Sequence, residues 1–155
     1  MEKIHPKLLG DAGEHYVAFE LARRGVSPAL LSTNTKGADI LATVSGRKVV
    51  SIQVKASAGT NNPSTWSVGK HKPDVSETFF YVFLNIWREH EKRVDAFIVP
   101  SKVVFQSVVW STAMPQFRLN AIEKEKYKDK WQQILDNLLN KCAIESLQLS
   151  AFGAN

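Results

Sequence analysis

The apolar and polar positions of the chain fall into short stretches with two different periods. Val17, Ala18 and Leu21 recur at helical spacing and stop at Gly25, and Asp11 with Glu14 three residues later has the spacing of a capping box. This predicts a helix over Asp11–Arg24. Ala29–Thr33, after Pro28, is an apolar run of strand length. Gly37–Val44 and Lys48–Ala56 alternate instead: Ile40, Ala42 and Val44 share one face, as do Val50, Ile52, Val54 and Ala56. Ser45-Gly46-Arg47 between them suits a hairpin loop. Placing both apolar sets on one side pairs Ile40 with Ile52 and sets Asp39 opposite Gln53.

Ser57–Pro73 is polar and reads as a loop with at most a short strand near Trp66. Phe79–Trp87 and Val94–Val99 are continuous apolar runs that predict a buried hairpin. Pro100-Ser101 then opens a helix to about Val109, with Ser101 as its cap. Over Glu123–Lys141 a stripe of Tyr127, Trp131, Ile134, Leu135, Leu138 and Leu139 predicts one long amphipathic helix. The tail 142–155 keeps Ile144, Leu147, Leu149 and Phe152, too apolar to lie free in water, so it is expected to pack back or to mediate a homodimer.

Composition narrows the class. A chain of 155 residues, 44% hydrophobic and without repeats or linkers, predicts one domain over residues 1–155, with a motif core at 8–105, a C-terminal helix at 123–141 and the tail. The longest apolar run, Phe79–Trp87, contains Asn85 and falls far short of the roughly 20 residues a membrane span needs. The N-terminus turns polar before a signal-peptide core can form, and Cys142 is a lone thiol, so a cytoplasmic location is expected, with no membrane partner. Of the net charge of +5, most lies early: residues 1–75 carry ten basic and six acidic side chains, the remainder ten and nine. That is compatible with a polyanionic partner without requiring one.

Asp39, Gln53 and Lys55 each interrupt an otherwise apolar strand pair. In the expected register Asp39 and Gln53 have Cβ atoms about 5 Å apart, and Lys55 projects from the same face. A hard cation such as Mg²⁺ or Mn²⁺ takes oxygen ligands, which Asp39, the Gln53 amide and the Val54 carbonyl can supply. Lys55 is then placed to orient a water and stabilise charge on a phosphate. Each residue has a plainer reading as well: Glu14 as a capping-box member, Asp39 as a strand-entry residue, Lys55 as an edge-strand guard, Gln53 as a solvated polar residue. In the loop beyond, Trp66, Lys70, His71 and Lys72 suit base stacking and phosphate contact, or equally a core plug and a solvated turn. Lys36 and Lys48 flank the site, and Ser57 directly follows it. The histidines at 5, 15, 71 and 90 share no zinc spacing, and neither a phosphate-binding loop nor a GxSxG elbow occurs, so no small-molecule cofactor is expected.

The helix with Glu14, the strand with Gly37-Ala38-Asp39-Ile40 and the strand with Ile52-Gln53-Val54-Lys55-Ala56-Ser57 together resemble the PD-(D/E)XK nuclease superfamily. The closest likeness is to the Gln-x-Lys branch that includes Mrr-like and Holliday-junction-resolvase-like members. The resemblance implies an α/β, restriction-endonuclease-like fold, a central mixed sheet flanked by helices. It implies catalytic roles for Glu14, Asp39, Gln53 and Lys55, and a metal held by Asp39, Gln53, Val54 and Glu14. It further implies Mg²⁺-dependent hydrolysis of DNA to 5′-phosphate products, frequently by homodimers. Ala38 stands where that family often has Pro, and the neutral Gln53 removes a negative charge from the ligand set. That charge deficit motivates the rival reading, a catalytically inactive nucleic-acid-binding or assembly module of the same fold.

Overall fold

The computed structural model describes residues 4–32, 37–58, 64–87 and 93–139. Helix α1 (Pro6–Ala22) opens them, with Pro6 in the first turn, where its missing N–H costs nothing, and the His5 ring accepting from the Lys7 N–H. The helix thus begins at Pro6 rather than Asp11. Asp11 lies in its interior, paired with Lys7 at 2.9 Å, and Glu14 belongs to no capping box. A cap needs extended backbone, which residue 11 has already lost to the helix. Gly25, with φ of 82°, ends the turn as expected.

Seven strands follow among the described residues: β1 (Ser27–Leu30), β2 (Ile40–Thr43), β3 (Val50–Ala58), β4 (Thr65–Ser67), β5 (Phe79–Ile86), β6 (Val94–Pro100) and β7 (Gln116–Arg118), with α2 (Ser101–Ser107) before β7 and α3 (Ala121–Tyr127) after it. The main sheet runs β1-β2-β3-β5-β6, with β3 and β5 parallel and the other neighbours antiparallel. Ile40 stands opposite Ile52, the expected register. β1 lies earlier than the predicted Ala29–Thr33, because Pro28 is tolerated on an edge strand that pairs with β2 alone.

Two cores cover the two faces of this sheet. On one, Ile52, Val54, Val82, Leu84 and Ile98 pack beneath Val17 and Leu21 of α1. On the other, Tyr81, Phe83, Phe97 and Val99 pack beneath Trp66, Val104 and Phe117, brought there by a small sheet of β4 and β7 together with α2. Strand β7 was not legible in the sequence; it is three residues long and buries only Phe117.

The long C-terminal helix is broken in two. After α3, capped by a true capping box of Asn120 and Glu123, Lys128 bridges to Phe97 and Asp129 turns left-handed at φ 52° while its N–H bonds the Ala96 carbonyl. Helix resumes over residues 132–139. The single apolar stripe is thereby split: Tyr127 joins the aromatic core, whereas Trp131, Ile134 and Leu138 join the core beneath α1. One straight helix could not reach both faces of the sheet. Helix α2 also differs, ending at Ser107, and Ser101 does not cap it; its hydroxyl donates to the Ser76 carbonyl. The predicted tail at 142–155 lies outside the described residues.

Candidate active site

Helix α1 crosses the sheet at Gly13. A Cβ there would stand 3.0 Å from Ala56 Cβ and 3.3 Å from Leu84 Cδ1 and Val54 Cγ1, so only hydrogen fits. This close approach brings the next residue, Glu14, half-buried beside the middle of β3. Nothing in the spacing of the sequence marks Gly13, because its role depends on β3 residues more than forty positions away.

Asp39 immediately precedes β2 and is held on both sides. Its N–H donates to the Ile52 carbonyl at 2.9 Å, and its carbonyl accepts from the Leu31 N–H at 2.8 Å. Just beyond, β2 leaves its neighbour, and the Asp39 carboxylate takes over the pairing: Oδ2 accepts from the Val54 N–H at 2.7 Å and from Gln53 Nε2 at 2.5 Å. The sharp approach to Asp39 is made by Gly37 at φ 90°, a backbone conformation that a side chain would strain. Asp39 and Gln53 therefore meet as the register requires. At Val54 it is the N–H that meets the aspartate.

The electrostatics of the pair are unfavourable to charge. Burial raises the Asp39 carboxyl above its ordinary value, against the opposing pull of the Val54 N–H and the Lys55 ammonium. Glu14 is raised too, first by burial and then by the negative charge of Asp39. Lys55, half-buried, forms no ion pair among the described residues and faces the same side as Gln53. Gln53 Oε1 likewise accepts nothing among the described residues.

Gln53 and Lys55 open onto a groove of about 770 Å³. Gly37, Ala38 and Tyr81 share its lining, and the loop at residues 68–73 forms the opposite wall, with Lys70, His71 and Lys72 exposed along it. The loop thus faces the strand site, an arrangement that spacing could not establish. Ser57 is on the same face of β3, bonded to Asn85 Oδ1 at 3.0 Å. Two candidates are placed elsewhere. Trp66 is 3% exposed, donates its indole N–H to the Leu84 carbonyl and packs on Phe83 and Phe97, so it plugs the core and offers no face for base stacking. Lys48 lies beyond the opposite end of β3 and donates to the Asn137 carbonyl. Lys36 lies outside the described residues.

The donors fit a hard cation. Asp39 and Glu14 are half-buried carboxylates, the second raised by the charge of the first, and with the Gln53 side-chain oxygen, which accepts nothing among the described residues, they would offer the oxygen-only donors that suit a divalent ion retaining several waters. Among the described residues no group of three or more His, Cys, Asp or Glu gathers to hold a metal, so such an ion would rest on these few protein oxygens and its own hydration.

No family model matches the sequence, and no curated protein matches it by sequence. The structure is similar to that of a bacterial homing endonuclease, with a TM-score of 0.65 at 16% identity over 92% of this chain and 99% of that one. It is also similar to a Holliday junction resolvase from the archaeal hyperthermophile Archaeoglobus fulgidus, with a TM-score of 0.45 at 15% identity over 76% of this chain and 88% of that one. The fold is the restriction-endonuclease-like one that the motifs resembled. No helix among the described residues is long and apolar enough to cross a membrane.

Proposed function

We propose that this protein is a metal-dependent endonuclease that hydrolyses DNA phosphodiester bonds, acting as one domain over residues 1–155. The observation that carries the reading is the Asp39 carboxylate bonded to Gln53 and to the Val54 N–H, with Gln53 and Lys55, which forms no ion pair among the described residues, opening onto a groove that the basic loop Lys70-His71-Lys72 also lines. Asp39, Glu14 and the Gln53 amide oxygen, with the Val54 carbonyl at the same strand position, would hold Mg²⁺ or Mn²⁺. A cation bound there supplies Lewis-acid stabilisation of the charge that builds on the phosphate. Asp39, pinned by the Val54 N–H, keeps its carboxylate fixed. Lys55 binds the phosphate and orients the attacking water, and its ammonium offsets negative charge as the bond breaks. The basic loop holds the flanking backbone, with Lys36 and Ser57 as further contacts. Cutting both strands of a duplex calls for two sites, hence a homodimer.

A second reading, an inactive DNA-binding module, is favoured by one observation: Gln53 is neutral and already engaged with Asp39. Incubation with supercoiled, linear and branched DNA in Mg²⁺, Mn²⁺ or EDTA separates the two. Asp39→Asn is the informative variant, since it keeps an oxygen for the Val54 N–H while removing the charge. The nuclease reading expects products that vanish in EDTA and in Asp39→Asn; salt-dependent binding without any cleavage would leave the module.

A further inference from the structure

Tyr81 is 4% exposed, stands opposite Gln53 in the β3–β5 pairing and lines the groove. Its ring is fixed between two others, with centroids 5.3 Å from Phe79 and 5.6 Å from Phe83 and interplanar angles of 25° and 10°. A buried tyrosine usually gives its hydroxyl a partner. This one has none among the described residues. Nor is the oxygen sealed in the core, because the only fully buried side-chain polar atom without a partner among the described residues is Asn137 Oδ1. The hydroxyl therefore ends in the groove, a rigidly held donor aimed at whatever the groove contains.

Among the described residues the lining sets three lysines against the carboxylate of Asp74, a balance that favours an anion. Lys55 stands on the same face of β3, and Lys70 and Lys72 line the facing wall. A tyrosine hydroxyl is protonated at neutral pH, so it donates rather than competes as a phenolate.

We propose that the Tyr81 hydroxyl is a phosphate contact, donating a hydrogen bond to a non-bridging oxygen of the nucleic-acid strand in the groove. This rests on the nuclease reading and extends its site from β2 and β3 onto β5. Because the ring is already immobilised by its stack, little side-chain entropy is lost when the bond forms.

Tyr81→Phe removes the hydroxyl and nothing else. Its melting temperature should match or exceed that of the wild type, since no internal hydrogen bond is lost. Its affinity for fluorescein-labelled duplex, branched or single-stranded DNA, read by anisotropy with Ca²⁺ in place of Mg²⁺, should fall by about tenfold or more, the usual worth of a hydrogen bond to a charged group. The dependence of affinity on salt should keep its slope, because a neutral donor releases no counterion, whereas Lys70→Ala should lower the slope by about one. Equal affinity of Tyr81→Phe and the wild type overturns the proposal while leaving the nuclease reading intact. A lowered melting temperature accompanying the lost affinity also overturns it, in favour of a structural role. Failure of the wild type to bind any of the three DNA forms overturns the nuclease reading and this contact with it.

Discussion

Strands β3 and β5 lie side by side in parallel, yet their sequences follow opposite rules. β5 is buried along nearly its whole length and carries apolar side chains on both faces, from Phe79 to Leu84, before Asn85. β3 alternates: Ile52 and Val54 go into the core under α1, and Ser51, Gln53, Lys55 and Ser57 face the other way. The difference lies in what covers that second face. Over Phe83 and Phe97 the small sheet of β4 and β7 seals it with Trp66 and Phe117, whereas over Gln53 and Lys55 of β3, and at Tyr81 of β5, the cover stops and the groove begins. A polar residue in an interior strand is thus tolerated where the sheet's cover ends, and there the candidate chemistry is placed.

The sharpest break of this comparison uses a register pair, Phe83 and Lys55. Phe83→Ala opens a cavity among Trp66, Tyr81 and Phe117 and should destabilise the fold by about 3–5 kcal/mol in denaturant unfolding. Lys55→Ala, its neighbour across the strand, should leave the melting temperature nearly unchanged and reduce cleavage by about 10²–10³-fold, the usual cost of removing one preorganised donor. Comparable stability losses in both variants would erase the distinction between a sealing strand and a site-bearing one.

A smaller effect separates two glycines of α1. Gly13→Ala forces Cβ against Ala56, so the helix must shift, costing about 1–3 kcal/mol from overpacking and displacing Glu14. Gly10→Ala meets nothing within 4 Å and should stabilise by about 0.5–1 kcal/mol through helix propensity alone. Thermal melts give the sign, and DNA cleavage should fall only in Gly13→Ala.

The smallest effect is electrostatic. Asp39 and Glu14 are both raised above their ordinary values of 3.8 and 4.5, so the folded state holds their protons more tightly than the unfolded chain. The stability this contributes is fully present below those ordinary values and is lost as pH rises through the raised ones. Mg²⁺ bound by the ionised pair should therefore raise the melting temperature more at about pH 7 than at about pH 4. An equal shift at both would separate cation binding from these carboxylates.

Much of this was legible from pattern alone. The period-two alternation of residues 40–44 and 50–56 gave the correct register, because slipping it by one residue would turn Ile40 and Ile52 into solvent. That register by itself sets Asp39 against Gln53, where the two side chains bond. The apolar run from Phe79 likewise announced a buried strand. Helix ends were less legible: an Asp with a Glu three residues on looks the same inside a helix as at its start, and Pro6 decided the matter. The stripe from Tyr127 to Leu139 predicts one helix because its spacing is helical throughout, but residues 128 and 129 bond to β6, a partner far away in sequence.

What the sequence by itself determined was the set of local periodicities and the identities of the polar side chains that interrupt them, since both follow from which faces must leave water. Only the tertiary structure decided which polar residues share a site. Glu14 comes within the influence of the Asp39 charge because α1 descends onto β3 at Gly13, and Trp66 enters the core by pairing with β7. Tyr81 became a groove residue because the cover over β5 does not extend that far. These outcomes depend on contacts between segments dozens of residues apart, and no local pattern encodes a distance that only the folded chain closes.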